Sequence, residues 1–136
     1  MPHRFEGERT LMRIFIGESD RCADGPYKGK PLFEGLLNLL RERGFAGATV
    51  LRGIAGFGAS ARVHTDRILR LSVDLPIVVE VVETEERVRG VIPELDEMIG
   101  GGLITLERAH VILYRPADAV ESERSRRRTE GLEPGA

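Results

Sequence analysis

A single cysteine, Cys22, in 136 residues excludes an internal disulfide framework, and a lone thiol suits a reducing cytoplasm better than secretion. Lying among charged residues in an expected loop, Cys22 reads as a bystander, not a nucleophile. Long hydrophobic runs are missing too. No apolar stretch approaches the roughly 20 residues of a membrane-spanning helix, and the polar Met1–Thr10 segment lacks the apolar region of a signal peptide. A formal charge of −2 gives no general attraction to nucleic acid or anionic lipid. His3, His64 and His110 are scattered, without Cys or His neighbours at ligand spacing, so no metal site is expected. Ser60 and His64 lie close in sequence but lack a legible orienting acid or oxyanion arrangement, so no catalytic residue is assigned.

A chain of this length fits one domain, which hides roughly two-thirds of its unfolded surface without needing disulfides or metals. Thr10–Gly17 reads as a strand, β-branched and stopped by glycine. Pro31 suits a first helical turn, Leu32, Phe33, Leu36, Leu37 and Leu40 recur at helical spacing, and Gly44 supplies the stop. Ala48–Ile54 and Leu75–Val82 read as the second and third strands. Thr84 is an N-cap for a second helix whose stripe is Val88, Val91, Ile92, Leu95, Met98 and Ile99. Pro93 inside it predicts a kink or a later start. Gly100–Gly102 end that helix, and Leu103–Tyr114 forms the last strand, with a bulge expected around Glu107–Ala109 where alternation slips.

Two strand–helix–strand units in this order predict an α+β, ferredoxin-like βαββαβ sandwich: a four-stranded antiparallel sheet with two helices on one face. The domain spans 10–116, with 1–9 an N-terminal extension and 117–136 a charged tail that reads as disordered. Strands one and three are apolar on both sides, Met12, Ile14 and Ile16 opposing Leu11 and Phe15, so both sheet faces are expected to be buried. An open face of roughly 350 Å² does not by itself force association, but the apolar content on both sides favours a homo-oligomer.

The candidate working surface is the glycine-rich stretch Gly53–His64. Gly53, Gly56 and Gly58 around Phe57, next to Arg52, let a backbone approach an anion closely. The alternative is a bulge or tight turn with Phe57 packed on the core. The spacing matches neither Gly-x-x-x-x-Gly-Lys-Ser/Thr nor Gly-x-Gly-x-x-Gly. The connection from Ala59 to Asp74 is long, and Arg62, His64, Arg67 and Arg70 make it basic, suited to an acidic partner or a phosphate. Tyr27, Lys28 and Lys30 precede a helix N-terminus, where free amides already favour anions.

Tyr27-Lys-Gly-Lys-Pro-Leu32, Gly47 through Gly58, His64-Thr65, Ile68–Leu71, Asp74-Leu-Pro76 and Leu95–Met98 together resemble the PII-like domain-of-unknown-function family, from Leu11 to about Tyr114. The resemblance implies a ferredoxin-like subunit in a PII-type homotrimer, with a regulatory rather than catalytic role. It further implies a small anionic ligand or adenine nucleotide at inter-subunit clefts, no bound cofactor, and a protein partner. Family members' association with fluoride-export genes points toward a transporter. Two departures stand out. Where PII signalling proteins place a glycine- and lysine-rich loop after the third strand, this chain has the acidic Glu83-Thr-Glu-Glu-Arg87. Its tyrosines, Tyr27 and Tyr114, do not lie between strands two and three, where PII proteins are modified. RNA binding and a small acylphosphatase-like activity are the competing readings. Leu75–Val82 offers no aromatic platform for bases, and Gly17–Tyr27 does not match an acylphosphatase arginine loop.

Overall fold

A computed structural model describes residues 4–58 and 74–117. The elements are β1 (Phe5–Gly17), α1 (Leu32–Glu42), β2 (Thr49–Arg52), β3 (Pro76–Glu83), α2 (Glu85–Met98) and β4 (Leu103–Tyr114). The sheet order is β2-β3-β1-β4, the antiparallel ferredoxin-like arrangement expected from the sequence. β1 starts at Phe5 rather than Thr10, and β2 covers only four residues of the seven expected. Two bodies are distinguishable, one being Glu8–Ala109. In the other, formed by the chain up to Gly7 and from His110 onward, Glu6 lies 3.8 Å from Arg4 and 3.6 Å from His110.

Strand alternation decides what goes inside. Met12, Ile14 and Ile16 stand opposite Val81, Val79 and Ile77 in the β1–β3 register, and all six are buried. They meet Leu32, Leu36, Leu39 and Leu40 of α1 and Val88, Val91, Leu95 and Met98 of α2 in one core. Each such side chain contributes about 1.5–3 kcal/mol by leaving water. Cys22 belongs to this core at 3 % exposure. It lies in a loop, as the sequence suggested, and Gly35 opens a slot for its sulfur: a methyl on Gly35 would lie 2.5 Å from Cys22 Sγ. Burial pushes the thiol pKa up, so it is a poor nucleophile.

The helix ends obey local chemistry. Gly44 at φ +78° closes α1 with Phe45 N–H donating to Leu40 O and Gly44 N–H to Arg41 O, both at 3.1 Å, a Schellman motif. Thr84 Oγ1 accepts from Arg87 N–H at 3.3 Å and caps α2. Pro93 lies inside an unbroken α2 that begins at Glu85, so the later start allowed by the sequence does not occur. Along β4 the half-buried positions change phase between Leu106 and Ala109, where the alternation slips in sequence.

The two helices are also tied by charge. Arg43 donates from Nε (2.8 Å) and Nη2 to the two oxygens of Glu94, holding that carboxyl below its ordinary range. A lowered carboxylate pKa adds stability above the unfolded value and loses it as pH falls through the folded one. Glu94→Gln should therefore flatten the acid limb of the stability–pH profile and leave the limb above neutrality unchanged, as read by urea midpoints. The pair is exposed, so the difference is small.

Candidate functional site

The C-terminal ends of β1 and β2 and the start of β3 share one end of the sheet, since Gly17 pairs with Pro76 and Arg52 with Ile77. The glycine-rich stretch leaves β2 at this end. Gly53 N–H donates to Pro76 O at 2.7 Å. Methyls built on Gly53 and Gly56 would lie 2.7 and 2.9 Å from Pro76 Cγ, so both glycines let the backbone fold over the proline ring. Gly58 has nothing within 4 Å of such a methyl. Gly53→Ala should cost about 1–3 kcal/mol, because the proline ring cannot rotate away as a flexible chain end would. Gly58→Ala should stay within about 0.5 kcal/mol of the parent, and urea denaturation of the two variants measures the contrast.

Phe57 is 75 % exposed and Ile54 88 %. The alternative that packed Phe57 on the core is therefore overturned, and the stretch carries two apolar side chains into solvent. Arg52 is directed to Glu18 at 2.9 Å. Glu18 N–H donates to Leu75 O at 2.8 Å, Ser19 N–H to the Asp74 carboxylate at 2.9 Å, and Gly17 N–H to the Asp20 carboxylate at 2.8 Å. The Glu18 and Ser19 amides tie the end of β1 to Asp74 and Leu75, and the Arg52 ion pair ties it to the end of β2. Arg62 and His64 lie outside the described residues. The Asp20 and Asp74 carboxylates meet at Gly17 and Glu18 offsets Arg52, so the described part of this end is acidic.

The Tyr27–Lys30 segment is fixed separately. Gly29 N–H donates to Cys22 O and Cys22 N–H to Lys30 O, both at 2.9 Å, while Leu32 N–H at the start of α1 donates to Asp20 O at 2.8 Å. Lys28 and Lys30 are exposed. Tyr27 does not face the helix N-terminus with them. It lies along α1, its Cβ beside Gly35 and its hydroxyl donating to Glu42 in the last turn. That carboxylate raises the phenol pKa, since ionising the phenol would place two anions together. Asp20 links the two segments, its side chain accepting from Gly17 and its carbonyl from Leu32. Sequence reasoning passed over Asp20 and Glu18 and gave Pro76 no role beyond a strand start, although Gly17-Glu-Ser-Asp20 carries the legible signal of a side-chain-capped turn.

The second sheet face is the other prominent surface. Phe15 pairs with Val78, which pairs with Leu51, giving an apolar row across β1, β3 and β2. Arg13, opposite Glu80, contacts it at 3.2 Å and Glu107 of β4 at 2.7 Å. Leu11 and Val82 form a further apolar pair beyond this ionic row. Phe15, Val82 and Leu51 are 37, 43 and 48 % exposed. The expectation of two buried faces is thus corrected for the single chain, because both helices contribute to the core on the other face. Among the described residues, no group of three or more His, Cys, Asp or Glu is placed to hold a metal ion, and no helix is long and apolar enough to cross a membrane.

Residues 9–111 match the model of the DUF190 family, described as "Uncharacterized ACR, COG1993". A UPF0166 protein of Aquifex aeolicus is 38 % identical over 105 residues, covering 77 % of this chain and 94 % of the relative. One of Methanocaldococcus jannaschii is 35 % identical over 102 residues, covering 74 % and 89 %. A further Aquifex aeolicus UPF0166 protein is 36 % identical over 104 residues, covering 76 % and 97 %. The match spans the strands and helices that build both surfaces, and the chain belongs to the DUF190 (UPF0166) family.

Proposed function

We propose that this protein is a non-enzymatic, PII-like regulatory subunit that works as a homotrimer. In this reading its subunits associate through the open sheet faces and hold a small anionic metabolite or adenine nucleotide at the clefts between them. The segment 59–74, with Ile54 and Phe57 at its approach, contacts a protein partner such as a transporter.

The observation that carries the reading is the uncovered face. Phe15, Val78 and Leu51 form a continuous apolar row beside the Arg13–Glu80–Glu107 ion set. Side chains of this kind gain by leaving water together, and a charge-paired row gives such a surface register as well as adhesion. Within Glu8–Ala109, Phe15 is the one aromatic on any strand. Two glutamates share the face with it, which suits another protein surface better than stacked bases. The buried, protonated Cys22 offers no ready nucleophile.

Isothermal titration of the purified protein against adenine nucleotides and small inorganic and carboxylate anions tests the sensing role. Saturable binding of at least one ligand is expected. No heat from any of them at millimolar concentration contradicts the sensing role while leaving the assembly to be judged by mass.

A further inference from the structure

An open groove of about 600 Å³ runs between the second half of α2 and the start of β4. Its size lies within the range of small-ligand sites. The walls are apolar: Ile92, Pro93 and Ile99 on one side and Ile104 on the other, with the backbone of Gly100–Gly102 at the end. The three isoleucines are only half-buried and pack on the core from its rim.

The charge in this groove is of one sign. Asp96 lines it, is exposed, and has no ion pair or side-chain hydrogen bond among the described residues. Elsewhere on α2, Glu85 is paired with Arg89 and Glu94 with Arg43, whereas Glu86 and Glu97, like Asp96, have no such partner among the described residues but do not line the groove. A helix C-terminus carries partial negative charge and is ordinarily offset by a base. α1 follows that rule with Arg41 in its last turn, whereas the last turn of α2 has no basic residue and contains Asp96 and Glu97. The chain thus leaves a negative helix end and a free carboxylate beside an apolar trough. Locally unfavourable choices of this kind mark sites kept for something other than stability. An anion would be repelled here despite the glycine amides.

We propose that this groove binds an aliphatic ammonium group: the charged head at Asp96 and the C-terminal end of α2, the methylene stem along Ile92, Pro93, Ile99 and Ile104. The shared chemistry is that of a free alkylamine or of a lysine side chain presented by a partner protein. It is a site separate from the anion clefts and does not depend on them.

The test is a titration of the ¹⁵N-labelled full chain with n-butylammonium chloride, against ammonium chloride at matched ionic strength. Amide shifts confined to residues 92–104 and saturating in the millimolar range are expected. Asp96→Asn should weaken binding about fivefold with the rest of the spectrum unchanged, and Asp96→Glu should restore it. Butanol and butyrate should both bind more weakly than butylammonium. Tighter binding of Nα-acetyl-lysine methylamide assigns the site to a partner's lysine, and tighter binding of butylammonium assigns it to a free amine. The proposal is overturned by no localised shifts at tens of millimolar, by equal binding to Asp96→Asn, or by butanol or butyrate binding as well as the amine.

Discussion

Phe15→Asp is expected to release monomers from the proposed trimer at micromolar concentration while leaving the far-ultraviolet circular dichroism of the chain intact. Phe15 belongs to the open face, opposite Val78, and its neighbours Ile14 and Ile16 alone reach the core. In the isolated subunit an aspartate there is partly hydrated and costs little. Between two subunits the same carboxylate loses its water without gaining a cation, and burial of an unpaired charge costs several kcal/mol. Arg13→Ala should act in the same direction, because it strips Glu80 and Glu107 of their shared cation. Phe15→Leu should keep the assembly. Analytical ultracentrifugation of the three variants separates these outcomes. An unchanged sedimentation coefficient for Phe15→Asp would remove the open face from the interface.

The second large effect concerns folding. Leu36 is fully buried between α1 and the sheet, and Leu36→Ala should cost about 3 kcal/mol, combining lost transfer energy with the cavity left behind. For a domain whose whole stability is roughly 5–15 kcal/mol, that lowers Tm by roughly 10–20 °C. Ile54→Ala, at 88 % exposure, should change stability by less than about 0.5 kcal/mol. Urea and thermal unfolding read both. A small loss at Leu36 would mean that the α1–sheet core is looser than its packing implies.

Legibility in the sequence follows the physics of each element. α1 and β3 were readable because their patterns are local: leucines at helical spacing, and a β-branched run with period two. The early start of β1 was not, since Phe5-Glu-Gly-Glu-Arg9 has little strand character of its own and follows the register of the strand it extends. The burial of Cys22 leaves no local mark for a related reason. Its sequence neighbours are charged, but the slot that buries it is made by Gly35, thirteen positions later.

The candidate site was half legible. Three glycines beside a strand end signal close approach, but only the fold identifies the approaching group as Pro76 for Gly53 and Gly56. Tyr27 looked like a companion of Lys28 and Lys30, yet its hydroxyl is taken by Glu42 at the far end of α1. Such long-range partners leave no mark in local pattern. The Arg13–Glu80–Glu107 set joins three strands, and its members are more than twenty residues apart in sequence.

The central claim is that the open sheet face is an interface between copies of this chain. Multi-angle light scattering of the wild-type protein, diluted stepwise to micromolar concentration, tests it most directly. The predicted result is a constant mass near three times the 15.1 kDa chain. A mass of one chain throughout the dilution would contradict it.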